Sequence, residues 1–249
     1  MSNITVDLIL PGFPGRSSVA GLGWCSVAII RSGKHSMLVD TGGPGARRVV
    51  LQELEKRKID HYDIERVFIS HMHWDHCYNA DLFPRAEFVI SREEWEYGNL
   101  IASVVPSEAH PFQGGYLPWL RSFKKKIVEG NDEELMPGVT CFATPGHTPG
   151  CISLLLDQGD EKWAIVADSV KNRAELTKVD VDMSVDMEKS KSSIMKIKKI
   201  ANRVLPGHDC WLRLEDDKVI PEGGNDVTLS MPFGMRVNGS ENLVLHVEL

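Results

Sequence analysis

The first 43 residues alternate between short apolar runs and turn-forming residues, a pattern that predicts a series of β-strands. Three runs rich in β-branched residues are separated by Gly, Pro and Ser: ITVDLIL, WCSVAIIRSG and KHSMLVD. The sequence RSGKH joins the last two runs and predicts a hairpin turn between them.

Helical spacing replaces this β-pattern directly afterwards. In ARRVVLQELEKRK, the apolar residues Ala46, Val49, Val50 and Leu54 fall on one face of a predicted helix. The longest helical pattern, DMEKSKSSIMKIKKIANRV, comes later in the chain. Its predicted apolar face consists of four residues: Ile197, Ile200, Ala201 and Val204.

Further strands are predicted between and around these helices: IERVFIS, AEFVIS, GVTCFATPG, CISLLLD and KWAIVAD. Ser91 and Glu94 have the spacing of a capping box at the start of another helix. No linker-like composition divides the chain. We therefore expect a single α/β domain over residues 1–249, with mixed sheets, outer helices and a β-rich tail over 210–249.

Composition and charge restrict the classes of binding partner and the location that are expected for this domain. Hydrophobic residues make up 42% of the 249 residues, enough for a sizeable core, and the formal net charge of −7 argues against a nucleic-acid partner. No stretch approaches the roughly 18 apolar residues of a membrane-spanning helix, so no membrane association is expected. With no signal peptide recognised and five scattered cysteines, a cytoplasmic protein with reduced thiols is expected.

The most informative stretch is ISHMHWDHCYN, which follows an apolar run. His71 and His73 alternate along an extended chain and so project to the same side. Asp75 and His76 follow on the next turn and can face the same space. Neutral imidazoles suit zinc, and a carboxylate helps to hold a second divalent ion nearby. The cluster therefore predicts a metal site.

Three other apolar strands also end in residues that can bind metals. His147 lies in ATPGHTPG, Asp168 follows WAIVA, and His208 lies in VLPGHD. Each could be a solvated turn residue if it stood alone. Because all three follow predicted strands, as the histidine cluster does, we expect them to meet the cluster at one end of the fold.

Together these residues resemble the metallo-β-lactamase-fold hydrolases. HMHWDH matches the HxHxDH motif of that superfamily, and its remaining motifs are matched in order by Asp40 in LVDTGG and by His147, Asp168 and His208. The resemblance covers residues from about 25 to 210. It implies an αββα sandwich, in which two mixed β-sheets pack face to face, helices flank them and metals bind at one edge.

The resemblance also implies a ligand set. His71, His73 and His147 would hold one zinc ion, with Asp168 bridging to a second. The second ion would be held by three residues: Asp75, His76 and His208. Two Zn²⁺ ions are expected, although iron or manganese could replace one of them. The expected nucleophile is a hydroxide shared by the ions, with Asp75 as the catalytic residue that handles its proton.

Other family features narrow the reaction. True β-lactamases of the superfamily generally lack an aspartate where Asp168 stands, and diiron relatives have Glu where His73 stands. The motifs look most like the acyl-homoserine lactonase and glyoxalase II branches, although lactonases commonly have Tyr where Lys171 stands. We expect hydrolysis of a small carboxylic ester, lactone or thioester. The alternatives are a phosphodiesterase or nuclease with the same metals, or a metal-bound protein-binding scaffold.

Several residues outside the motifs are candidates for the substrate pocket or its support. Asp40 would brace the histidine loop, unless it is simply a turn aspartate. The aromatic segment 99–127, with Tyr116 and Trp119, could form a lid or an ordinary surface excursion. Lys171 and Arg173 could bind a substrate anion or be solvated surface charges. The expected partner is a small-molecule substrate. The sequence does not define the oligomeric state, and a homodimer is one of the possibilities.

Overall fold

The structure is a computed structural model that describes residues 4–104, 117–216, 218–224, 226–232 and 234–248. The side chains at 104 and 117–119 also lie outside the described part of the chain. Two large mixed sheets carry most of the strands, as the sequence predicts.

The first sheet comes from the N-terminal part of the chain and contains six strands in sequence order. β1 to β3 are antiparallel, whereas β3 to β6 run parallel, because helices connect them. The strands are β1 (Ile4–Leu10), β2 (Val27–Ser32), β3 (His35–Val39), β4 (Arg66–Phe68), β5 (Glu87–Ser91) and β6 (Lys125–Val128). The helices on this sheet are α1 (Arg47–Lys56), α2 (Trp74–Cys77), α3 (Arg92–Val104) and α4 (Leu117–Ser122).

The second sheet contains seven strands in the order β13-β12-β11-β10-β9-β8-β7. Its pairs are antiparallel except β10 and β11, which are parallel and joined by α5 (Arg173–Lys178) and α6 (Met187–Ile200). The strands are β7 (Glu133–Met136), β8 (Val139–Ala143), β9 (Ile152–Asp157), β10 (Lys162–Ala167), β11 (Arg203–Pro206), β12 (Trp211–Glu215) and β13 (Lys218–Glu222). A separate hairpin follows, formed by β14 (Val227–Ser230) and β15 (Asn242–Leu245).

Three apolar clusters show that the layers are ordered helix, sheet, sheet, helix. The central cluster joins the facing sides of the two sheets, with Phe68 from the first and Leu154 from the second. A second cluster packs Val50 of α1 against the other side of the first sheet. The third packs Ile197 of α6 against the other side of the second sheet. This is the αββα sandwich that the resemblance implied.

The observed elements depart from the predicted ones at three apolar positions, of which Ala201 follows the end of α6 in an extended conformation. Val49 is exposed on α1, while Ala46, Val50 and Leu54 are buried as predicted. Val204 does not extend the face of α6, because that helix ends at Ile200 and Val204 lies in β11. The helical spacing of apolar residues continues past the end of α6 and onto the exposed side of α1, which explains these differences.

Only the first part of the C-terminal tail joins the second sheet. β12 and β13 extend the second sheet, and β14 and β15 alone form their own two-stranded sheet. No helix in the described part of the chain is long and apolar enough to cross a membrane.

Candidate metal centre

Four connections place the predicted ligand residues at one edge of the sandwich. The loop after β4 carries His71 and His73, and α2 follows with Asp75 and His76. The β8–β9 connection, the end of β10 and the β11–β12 turn supply the remaining three, which are His147, Asp168 and His208. All seven side chains fall into groups whose ligand atoms lie within 4.8 Å of one another.

The first group consists of His71, His73 and His147. Nδ1 of His73 lies 3.0 Å from Nε2 of His71 and 2.9 Å from Nε2 of His147. Neighbouring nitrogen ligands of one tetrahedral zinc ion are separated by roughly 3.3 Å, since each Zn–N bond is about 2.0 Å long. The three nitrogen atoms therefore converge closely enough to share one ion.

The second group consists of Asp75, His76 and His208. Oδ2 of Asp75 lies 3.7 Å from Nε2 of His76 and 3.4 Å from Nε2 of His208. One carboxylate and two imidazoles form a donor set suited to a borderline or hard divalent cation.

Asp168 lies between the two groups and faces both. Its Oδ1 is 3.3 Å from Nε2 of both His76 and His208, and its Oδ2 is 3.4 Å from Nε2 of His147. Within the described chain, the buried atoms Oδ1 of Asp168 and Nε2 of His76 have no hydrogen-bond partner. Because buried polar atoms rarely stay unsatisfied, these donors fit a pair of bound cations.

A family comparison agrees with this arrangement. The model of the Metallo-beta-lactamase superfamily matches residues 20–208, which include every one of the seven side chains. The chain belongs to the metallo-β-lactamase superfamily.

Relatives within this superfamily match most of the chain. The Metallo-beta-lactamase domain-containing protein 1 of Xenopus laevis is 32% identical over 74% of this chain and 70% of its own length. An N-acyl homoserine lactonase of Bacillus cereus is 32% identical over 64% of this chain and 61% of its own length. The solved structure of AidC, a dizinc quorum-quenching lactonase, superposes with a TM-score of 0.65 at 22% identity, over 82% of this chain and 81% of that one.

The pKa values of the histidines differ between the two groups. Burial lowers the pKa of both His71 and His147 well below the ordinary value, so both imidazoles are neutral and can donate lone pairs. Burial also disfavours charge on His76, but the carboxylates of Asp168 and Asp75 outweigh it and raise its pKa well above the ordinary value. A bound cation would take the place of such protons.

Asp40 supports the histidine loop from behind. Its Oδ2 lies 2.7 Å from Nδ1 of His76, and its carboxylate accepts hydrogen bonds from the main-chain N–H and the hydroxyl of Ser70. Asp40 is buried and has a left-handed φ of 56°. A carboxylate on Nδ1 leaves Nε2 of His76 as the nitrogen atom that faces Asp168, which is the typical arrangement behind a metal-binding histidine.

Two further buried carboxylates lie near the candidate ligands and were not predicted to be there from the sequence. Asp209 follows His208 and accepts hydrogen bonds from the main-chain N–H, Nε and Nη2 of Arg173. Glu94 accepts hydrogen bonds from the histidine loop and from the loop that carries His147. Its capping-box spacing was visible in the sequence, but only half of that box forms. The N–H of Glu94 donates to the hydroxyl of Ser91, while the Glu94 carboxylate points into the fold.

Arg173 and Lys171 were both candidates for binding a substrate anion, and the structure places only Lys171 at the pocket. Arg173 is buried with its guanidinium 2.6 Å from Asp209, so it supports the loop of His208 and does not face the pocket. Lys171 lines the pocket, but its Nζ lies 2.7 Å from Oε1 of Glu175 and donates to the carbonyl of Asp182. An anion would have to compete with these partners.

A cavity of about 630 Å³ opens above the ligand groups. Two loops form its walls, one within residues 14–23 and one within 182–185, and the ion pair between Arg16 and Asp182 joins them at 3.4 Å. Of the segment 99–127, none of the described residues lines this cavity. Tyr116 and the side chain of Trp119 lie outside the described residues, so the expected lid stays a prediction.

Proposed function

We propose that this chain is a dizinc hydrolase that cleaves a small carboxylic ester, lactone or thioester. The observation that carries the proposal is the position of Asp168, with one carboxylate oxygen facing each of two ligand groups at the base of an open cavity. Six side chains form the two groups and Asp168 lies between them, so the seven residues support a site for two ions.

The chemistry depends on how the chain's own residues are placed around such ions. Two divalent ions, when bound, supply a water molecule of lowered pKa and polarise the carbonyl oxygen of the substrate. Asp75 lines the cavity and lies 3.4 Å from Nε2 of His208, so its carboxylate can accept a proton from that water. Asp40 and Asp209 keep the neighbouring ligand loops in place while this proton moves.

The preference for a small acyl substrate rests on the pocket and on the relatives. The cavity is the size of a site for a small organic molecule. Lactonases are among the relatives at 32% identity, and their name suggests the substrate class to test first. The net charge of −7 does not favour a polyanionic substrate.

The metal content is the first test of this proposal. Protein purified without chelators should contain close to two divalent ions per chain, with zinc as the main metal and iron or manganese as the alternatives at one position. A fully folded preparation with one ion or none, after incubation with zinc, iron and manganese in turn, would contradict a two-metal site.

The reaction is tested with matched substrates. Lactones, aryl esters and thioesters should be turned over by the metal-loaded protein, whereas RNA and DNA should bind weakly and in a strongly salt-dependent manner. Asp168→Ala should lower turnover by at least ~10²-fold, because it removes the carboxylate between two dications. Efficient cleavage of single-stranded nucleic acid with no acyl turnover would instead establish the phosphodiesterase alternative. Metal binding without any turnover would favour the scaffold.

A further inference from the structure

The first turn of α3 places a buried carboxylate between two loops that carry ligands. Glu94 is fully buried, and its Oε1 accepts a hydrogen bond of 2.8 Å from the main-chain N–H of Met72. Its Oε2 accepts one of 2.7 Å from the hydroxyl of Thr148 and one of 3.2 Å from the N–H of Gly150. Glu94 itself lies in neither ligand group.

The residues that Glu94 contacts are direct neighbours of the first group. Met72 lies between His71 and His73, and Thr148 follows His147. The two loops are far apart in the sequence, with 74 positions separating His73 from His147. One side chain therefore links all three histidines of that group through their adjacent residues.

The second loop also contacts the backbone of α3. The hydroxyl of Ser91 donates a hydrogen bond of 2.5 Å to the carbonyl of Gly150. A Cβ at Gly150 would collide with the main-chain nitrogen of Glu94. Only a glycine allows this approach, so the loop is held against the helix start independently of the Glu94 side chain.

The geometry points to Glu94 as a positioning residue for the first metal: it fixes the separation between the His71–His73 loop and the His147 loop. This inference rests on the proposed metal centre and adds a determinant of metal affinity that is not a ligand. Residues that orient metal ligands typically contribute about 10–100-fold in metal affinity or activity.

The chemistry of the three contacts explains why a carboxylate is required. Two of the donors are main-chain N–H groups, which can only donate, and an ionised carboxylate can only accept. An amide would place its NH₂ group against Met72 or against Gly150. Glu94→Gln therefore keeps the size of the side chain but leaves at least one N–H facing another donor.

The experiment compares zinc retention in wild-type protein and variants at pH 8 by competition with a chromogenic chelator. In Glu94→Gln, one of the two ions should bind about 10–100-fold more weakly, while the other keeps its wild-type affinity. The visible spectrum of the cobalt-loaded protein then shows which ligand set remains. Thr148→Val removes one hydrogen bond, keeps Glu94 and should give a smaller loss at the same ion.

The matched control is Glu93→Gln, which makes the same charge change at an exposed position in the same helical turn. It should bind both ions as wild-type protein does. Equal affinity in Glu94→Gln and wild type, or an equal loss of both ions, would overturn the inference. If Glu94→Gln does not fold, Thr148→Val with wild-type affinity at both ions overturns it. A wild-type protein that binds no second ion would instead refute the proposed centre, and this inference with it.

Discussion

Gly207 lies so close to Asp168 that no side chain fits between them. A Cβ at Gly207 would collide with Oδ1 of Asp168, the atom that faces the second group. Gly207→Ala should therefore displace the carboxylate without removing any ligand. We expect loss of one bound ion and a fall in turnover of at least ~10-fold, measured by metal analysis and steady-state kinetics.

Gly45→Ala is the matched control for this substitution. A Cβ at Gly45 would meet no other atom within 4 Å, and its φ is not in the left-handed region. Retention of two ions by Gly207→Ala would show that Asp168 can move aside without cost, which contradicts its role between the metals.

The pKa of Glu94 makes stability depend on pH in the metal-free protein. Burial raises this pKa from 4.5 to about 7, despite the opposing hydrogen bonds from Thr148 and Met72. Between these values the folded state keeps a proton that the unfolded state has released. The contribution of the protonated Glu94 carboxyl to the unfolding free energy is therefore fully present below about pH 4.5 and is lost as the pH rises through 7.

Urea unfolding of metal-free wild type and Glu94→Gln measures this effect, because the amide does not titrate. The unfolding free energy of wild type minus that of the variant should decrease by about 2–3 kcal/mol from pH 5 to pH 8. A constant difference over this range would show that the Glu94 carboxyl does not change protonation there.

At the level of single residues, the sequence indicated the candidate ligands better than the residues that support them. The motif residues could be predicted because their types and local spacing are visible in one stretch, as with His71 and His73. Glu94 could not be assigned, because its donors at Met72 and Gly150 are 22 and 56 positions away. Arg173 was misassigned for the same reason, since only the fold brings Asp209 to it.

Substitutions in helix α6 measure how much the packing of the outer helices contributes to the unfolding free energy. Ile197 is fully buried between α6 and the second sheet, whereas Met195 on the same helix is 45% exposed. Ile197→Ala should lower the unfolding free energy by about 2–5 kcal/mol, because it leaves a cavity in a close-packed layer.

Met195→Ala, which removes an exposed side chain from the same helix, should change the unfolding free energy by less than about 0.5 kcal/mol. Chemical denaturation of both variants makes the comparison. Similar losses in the two would mean that α6 does not pack its Ile197 face against the second sheet.

Elements were predictable where the apolar period and the turn residues agreed. The hairpin between β2 and β3 forms at RSGKH, with Gly33 at a φ of 59°. The end of α6 was not predicted, because Val204 continues the helical period by chance. Ala201 instead adopts an extended conformation, with φ −123° and ψ 144°, and the chain enters β11.

At the scale of the whole molecule, metal binding should stabilise the sandwich. The candidate ligands come from both sheets, so an ion bound by them would connect the two halves of the fold. At a free metal concentration about 100 times its Kd, each ion adds about 2.7 kcal/mol. For a domain of this size, removal of one ion should lower Tm by about 5–10 °C.

Calorimetry with and without a chelator measures this shift, and re-addition of zinc should reverse it. A double variant, His71→Ala with His208→Ala, should melt at the same temperature in both conditions. Equal Tm values for chelated and zinc-loaded wild type would contradict binding of metals across the two sheets.

The ion pair between Arg16 and Asp182 connects loops that contribute none of the seven candidate ligands. The candidate ligands lie near strand ends and are supported by buried carboxylates, whereas Arg16 and Asp182 are exposed on surface loops. Loops of this kind tolerate insertions and exchanges that strands do not. Selection can thus remodel the pocket entrance while the proposed metal centre stays constant, so descendants of one ancestor could diverge in substrate choice and keep the same metals.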